Sequence, residues 1–337
     1  MKEKINRIEG IDLVKSLAIF FVISAHYFLN NGFYAEAMQG PRMFISAFLR
    51  CMSYTCIPLF IVTTGYLMKE KHLNKKYYKS LLKIIVTYLL ISVSTLIVRI
   101  YYFHDEITWK SGIKGFFSFS TNAYSWYVNM YIGLFLLIPF LNVLYNNLQT
   151  KREKQILILS LVLLTSIVIT YRIGRYVPNW WSATFPLTFY FIGAYINEYP
   201  LRIRKLFIII LAFLVLLVEA MLAYFDPTFL WFGGDYIYGA LPNAIVAICL
   251  FLLLYDIIIK NNVLYYILKT ISKLTLEIYL VSYIIDRFVY LYLKEFFSSS
   301  TEMLPYYAVI VSFIFVVSVI LAIMINFIQR KVFDRLY

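Results

Sequence analysis

The sequence predicts an all-α fold: a polytopic integral membrane protein with about ten transmembrane helices and both termini in the cytoplasm. Three observations lead there. The 337 residues are 62% hydrophobic and 15% charged, with a mean hydropathy of +0.75, whereas soluble domains are about 45–50% apolar and about 25% charged. Apolar runs long enough to cross a bilayer, roughly 20 residues each, recur along the whole chain. Lysine and arginine gather in every second loop between those runs, as the positive-inside rule requires of cytoplasmic segments.

The first run follows a basic opening, Met1 to Arg7, and extends to about Leu29. No small-residue cleavage pattern follows it, so it reads as a first span rather than a removable signal. The expected spans are 11–30, 43–68, 80–103, 125–146, 155–172, 180–197, 206–225, 236–259, 273–293 and 304–328. The longest connection, about 104–124, leaves no room for a soluble domain, so residues 1–337 read as one membrane domain. With the N-terminus inside, cytoplasmic segments carry Lys2, Lys4 and Arg7, the group Lys69 to Lys79, and later groups around Lys151, Arg202, Lys260 and Arg330. Outer segments carry only Arg42, Lys110, Lys114, Arg172, Arg175 and Lys294. The bias is roughly three to one and fixes the orientation. It also explains the net charge of +13 without nucleic acid, which is excluded as a partner.

The 31 Tyr and 29 Phe suit a protein with many membrane interfaces, where aromatic rings collect. Trp180, Trp181 and Trp231 read as such a belt. Cys51, Cys56 and Cys249 all lie in apolar runs. Three isolated cysteines argue against a disulfide framework or a zinc site, and no metal site is expected. Gly65, Gly133 and Gly193 read as places where helices approach closely.

Ionisable residues inside spans are costly and therefore functional candidates. The first span carries Asp12, Lys15 and His26. Lys15 and His26 are eleven residues apart, about three turns and about 16 Å of helix, so both belong to one face. Asp12 and Lys15 form an i, i+3 pair. His26 is the sole imidazole within a span, because His72 and His104 fall in loops. Imidazole is the side chain suited to proton transfer near neutral pH; the bland alternative is a snorkelling Lys15 and an interfacial His26. Arg50, Arg99, Glu219, Glu277, Asp286 and Arg287 also fall within spans. Arg50 and Glu277 are expected to pair or to line a cavity, Arg99 to snorkel, and Asp286 and Arg287 to need separate partners.

The segment Asp12-Leu13-Val14-Lys15-Ser16-Leu17-Ala18 through His26 resembles the first-helix signature of the membrane acyltransferase-3 family, Asp-x-x-Arg, ten residues, then His. Lys15 stands where that family most often has Arg, which keeps the charge and loses the bidentate fork. Ile57-Pro58-Leu59-Phe60-Ile61-Val62-Thr63-Thr64-Gly65-Tyr66-Leu67 is similar to its Pro-Leu-Phe-Phe-x-x-Ser-Gly-Tyr segment. Tyr77 to Ile84, with Lys79 and Lys83, resembles its basic approach to the third helix. Ser125-Trp126-Tyr127 with Gly133, Leu134 and Pro139 resembles its Trp-Phe-Leu segment, and Thr275 to Leu280 its late Thr-x-x-Ile-Tyr-Leu. Ser282 stands where the family often has a second His.

The resemblance implies an enzyme: an O-acyltransferase of the cell membrane that moves an acyl group, commonly acetyl, from cytoplasmic acyl-CoA to a hydroxyl of a surface or exported polysaccharide or its lipid-linked precursor. It implies His26 as general base and Lys15 on the donor side, with Lys79 and Lys83 for the CoA phosphates. Asp12, Arg50, Trp126, Tyr127 and Glu277 are the expected pocket residues. Acyl-CoA is a co-substrate, and no bound cofactor is expected. Two rival readings remain: a glycan exporter or small-solute transporter, whose intramembrane charges line a pathway, and an accessory module of a glycan synthase.

Overall fold

A computed structural model of the chain describes residues 8–170, 177–228 and 234–336. Among the described residues every regular element is a helix. In chain order these are α1 (Glu9–Asn30), α2 (Gly40–Ser53), α3 (Cys56–Met68), α4 (Lys75–Tyr101), α5 (Trp109–Phe117), α6 (Trp126–Asn147), α7 (Lys151–Val162), α8 (Val168–Thr170), α9 (Phe185–Glu198), α10 (Lys205–Phe225), α11 (Leu241–Leu254), α12 (Asn262–Lys273), α13 (Thr275–Phe296), α14 (Ser300–Met303) and α15 (Tyr307–Leu336). Trp231, Arg172 and Arg175 lie outside the described residues.

Seven described stretches are long and apolar enough to cross a membrane: Glu9–Asn30, Gly40–Met68, Lys75–Tyr101, Ala123–Asn147, Lys151–Thr170, Lys205–Phe225 and Ser300–Gln329. Several expose apolar side chains outward, such as Leu206, Phe207, Ile210, Phe213 and Phe225 on α10 and Val309, Phe313, Val316 and Ile320 on α15. Patches of that size on a water-facing surface would aggregate, and lipid is their solvent in a multi-pass membrane protein. The other three expected spans differ. The helices α9 and α11 have 14 residues each, about 21 Å at 1.5 Å per residue, short of the roughly 30 Å hydrocarbon core. The 22-residue α13 is long enough, but Glu277, Asp286, Arg287, Lys294 and Glu295 interrupt its apolar character.

Local chemistry accounts for other departures. The run 43–68 breaks at Tyr54 and Thr55 into α2 and α3. Pro58 has no N–H to give the Tyr54 carbonyl, and its ring crowds that carbonyl. The connection 104–124 contains α5, started by Thr108, whose side chain accepts from the Ser111 N–H. Residues 262–273 form α12, which buries Leu268 and Ile271 and exposes Val263 and Tyr266.

The chain divides into two compact units. The first contains Met1–Ala25, Ala35–Glu70 and Leu144–Lys273. Within it α3 packs on α9 more extensively than any other pair. Glycine permits this: a Cβ on Gly65 would lie 1.9 Å from the Tyr190 carbonyl oxygen, and one on Gly193 would lie 2.0 Å from that of Val62. Gly133 is different, since a Cβ there would meet nothing within 4 Å, so the expected close contact at Gly133 is corrected.

The second unit contains His26–Tyr34, Lys71–Val143 and Leu274–Tyr337. Here α4 begins at Asn74, whose side chain accepts from the Tyr77 N–H at 2.7 Å. Pro139 within α6 leaves the Phe135 carbonyl without its helical donor. The Tyr77 hydroxyl donates to that carbonyl at 2.6 Å, and its ring stacks on Phe135 at 4.3 Å.

Candidate active site

The second unit builds its polar centre around His26, near the end of α1. The side chain retains 7% of its surface. The Tyr124 ring lies against it, centroids 3.5 Å apart and nearly parallel. Its Nδ1 faces Asp286 Oδ2 of α13 at 3.7 Å. That is ion-pair distance, longer than a hydrogen bond. His26 Nδ1 and Asp286 Oδ1 are both buried without hydrogen-bond partners. An unsatisfied buried polar atom costs about 1–3 kcal/mol, and this centre holds two, on neighbouring side chains.

Each neighbour of His26 is itself held. The Tyr124 hydroxyl donates to Asp286 Oδ2 at 2.7 Å and accepts from Asn30 Nδ2 at 2.9 Å. Asn30 also donates to the His26 carbonyl, one turn back on α1. The Tyr124 N–H donates to Asn122 Oδ1, and Asn122 Nδ2 donates to the Leu280 carbonyl of α13. The Tyr279 hydroxyl donates to the Tyr124 carbonyl. On α13, Tyr279, Tyr283, Asp286 and Tyr290 follow helical spacing and share one face. Tyr127 meets Tyr279 edge-on at 5.8 Å, and Trp126 meets Tyr127 edge-on at 6.1 Å. Glu277 is buried on the first turn of α13, and the Ser282 hydroxyl donates to the Tyr279 carbonyl within the helix.

Next to this centre, Arg99 does not snorkel as expected. It donates to Asp105 Oδ2 at 2.7 Å and to the Thr121 carbonyl at 2.8 Å. Arg287 grips both Asp105 oxygens, at 2.7 and 3.0 Å, and lies 4.1 Å over the Phe103 ring. Asp286 and Arg287 therefore find separate partners. The hydrogen bonds from Arg287, then from Arg99, bring the Asp105 carboxyl down to about 2, against some loss of hydration. Lys79 and Lys83 stand on the exposed surface of α4 in the same unit.

The remaining expected site residues belong to the first unit. Lys15 is part-buried on α1, and its ammonium donates to the Ser272 carbonyl at the end of α12. A cation is favoured at a helix C-terminus. Asp12 is buried, and its carbonyl accepts from Ser16 Oγ at 2.8 Å. Arg50 is buried in α2, with its guanidinium 4.0 Å over the Tyr54 ring and Glu219 of α10 as the nearby acid. Within the first unit, the acid beside Arg50 is Glu219, across the α2–α10 contact. Lys15 and His26 sit on one continuous helix, each placed by the packing of its own unit.

Sequence reasoning missed Asn30 and Tyr124 and saw Asp286 only as a buried charge. Asn30 was detectable at i+4 from His26, and the spacing of Tyr279, Tyr283, Asp286 and Tyr290 marks one polar-aromatic face on α13. Tyr124 carries no comparable signal, because its place beside His26 follows from packing between segments about a hundred residues apart.

Comparison with known proteins finds no curated sequence and no solved structure that matches the chain. The family model described as acyltransferase domain, acyltransferase-3, matches residues 8–323. That range takes in the first-helix residues, the His26 centre and nearly all of the described helices, and the chain belongs to the acyltransferase-3 family of membrane acyltransferases.

Proposed function

We propose that the protein is an O-acetyltransferase that moves acetyl from cytoplasmic acetyl-CoA to a hydroxyl of a surface or exported polysaccharide or its lipid-linked precursor. We further propose ten membrane passes with both termini in the cytoplasm of the cell membrane, α9, α11 and α13 being the passes of marginal length or polarity. The observation that carries the catalytic reading is the His26–Asp286–Tyr124 arrangement: a buried imidazole with one nitrogen turned to a carboxylate and its plane set by a stacked ring.

In this reading His26 Nε2 accepts the proton of the acceptor hydroxyl as its oxygen attacks the thioester carbonyl. The new C–O bond forms, the C–S bond breaks, and the proton passes from the imidazolium to the CoA thiolate. The Asp286 carboxylate then faces an imidazolium, and a small closure of the 3.7 Å gap makes a charge-assisted hydrogen bond. An aligned base of this kind contributes about 10²–10⁴-fold to rate. Lys15 is the proposed donor-side cation, with Lys79 and Lys83 as phosphate contacts. Trp126, Tyr127 and Glu277 are the proposed acceptor-side residues. Asp12 and Arg50 are the proposed pocket residues of the first unit.

The test compares surface glycan by mass from cells with the wild-type protein, without it, and with His26→Ala. One acetyl mass per modified unit is expected with wild type only, at equal protein level in the membrane. Full acetylation by His26→Ala removes the imidazole from the reaction.

A further inference from the structure

Two arginines on one carboxylate are more than charge neutralisation requires, and the three residues belong to three separate segments of the second unit. Arg99 closes α4, Asp105 lies in the connection after it, and Arg287 lies on α13. Asp105 accepts from Arg99 Nε and, in two-pronged fashion, from Arg287. Its own N–H donates to the Arg99 carbonyl at 2.9 Å. Arg99 also holds the Thr121 carbonyl. Each anchored point borders the candidate site. Thr121 precedes Asn122, which binds the Tyr124 N–H and reaches across to the Leu280 carbonyl, and Arg287 directly follows Asp286. Just before Asp105, His104 has φ +52°, a left-handed conformation that costs a non-glycine residue energy and persists only where surrounding contacts enforce it.

We propose that Asp105 is a positioning residue for acyl transfer: clamped by Arg99 and Arg287, it fixes segment 121–125 against α13, and thereby sets Tyr124 and Asp286 on the His26 imidazole. The proposal rests on the reading of His26 as the base. Asp105 touches no reacting atom. Its effect passes through the backbone to two side chains that determine where the imidazole points.

The experiment reads His26 directly. Full-length protein in detergent micelles is treated with diethyl pyrocarbonate, and carbethoxylation of His26 is timed by peptide mass spectrometry, with His72, exposed before α4, as the internal reference. Asp105→Asn removes the charge that both guanidinium groups require, and His26 labelling is expected to accelerate about fivefold relative to His72, the scale of coupling between residues of one network. Asp105→Glu keeps the carboxylate and is expected to label like wild type. In glycan acetylation normalised to protein, Asp105→Asn is expected to lower kcat and leave the KM for acetyl-CoA unchanged. Unchanged His26 labelling in Asp105→Asn overturns the proposal, as does a loss of activity that appears wholly in KM. If Asp105→Asn does not fold, Arg99→Lys and Arg287→Lys retain charge without the fork and give the same comparison, with faster labelling expected and wild-type labelling overturning. His26→Ala separates the two ideas: full acetylation in that variant ends the general-base reading, while the labelling still decides whether Asp105 sets the imidazole.

Discussion

In the proposed reading the two imidazole nitrogens of His26 divide the work: Nδ1 is buried against Asp286, and Nε2 takes the acceptor proton. Asp286→Asn preserves shape and removes the charge that an imidazolium needs. It is expected to lower kcat by about 10²-fold, the lower end of general-base contributions, with protein level in the membrane retained; acetylation at wild-type rate contradicts the assignment. Tyr124 separates two contributions. Tyr124→Phe keeps the ring under the imidazole and loses the bond to Asp286, so its rate is expected to fall less than that of Tyr124→Leu, which loses both. Lys15 is read as donor-side, but it also caps α12 through the Ser272 carbonyl. Lys15→Ala is expected to raise the apparent KM for acetyl-CoA and Lys15→Arg to retain it; an unchanged KM in Lys15→Ala removes Lys15 from the donor side.

At the scale of elements, the contact between α3 and α9 depends on two missing side chains. Gly65→Ala and Gly193→Ala each drive a methyl into a carbonyl oxygen on the facing backbone, and backbone cannot rotate away as a side chain can. Each is expected to destabilise the protein by at least the about 1–3 kcal/mol of an overpacked core, read as a lower thermal midpoint in detergent. Gly133→Ala, with open space around it, is expected to leave that midpoint unchanged or slightly raised, because alanine is the better helix former. The three glycines look alike in the sequence, since each sits in an apolar run, and only the distance to a neighbouring backbone distinguishes them. The break between α2 and α3 was legible in principle from Pro58. The partner that satisfies the Phe135 carbonyl was not, because Tyr77 lies far away in sequence and the bond exists only once α4 and α6 pack.

At the scale of the whole molecule, charge sets both orientation and acid sensitivity. Reporter fusions at the two ends are expected to report the cytoplasm, as the basic loops require, and a reporter between α4 and α6 is expected to report the opposite side. The Asp105 carboxyl is held down to about 2 from an ordinary 3.8. A carboxyl that is more acidic in the folded state stabilises above its unfolded value and loses that contribution as pH falls through its folded value. Wild type is therefore expected to be more stable than Asp105→Asn above about pH 4, with the gap closing as pH falls toward about 2. Thermal midpoints of both proteins across that range check this; a gap independent of pH means that the carboxylate charge contributes nothing.

The all-helical membrane class and the family were written in the sequence, because hydropathy and the motifs along the first helix are local properties of the chain. Length alone flagged no difference between α9 or α11 and a full span, because their apolar runs continue past the helix ends into turns. Which acid faces His26, which acid lies beside Arg50 in the first unit, and which carboxylate Arg99 and Arg287 share were decided only by tertiary structure. Partner choice for a buried charge depends on distances between helices remote in sequence, and no spacing along one helix encodes those distances.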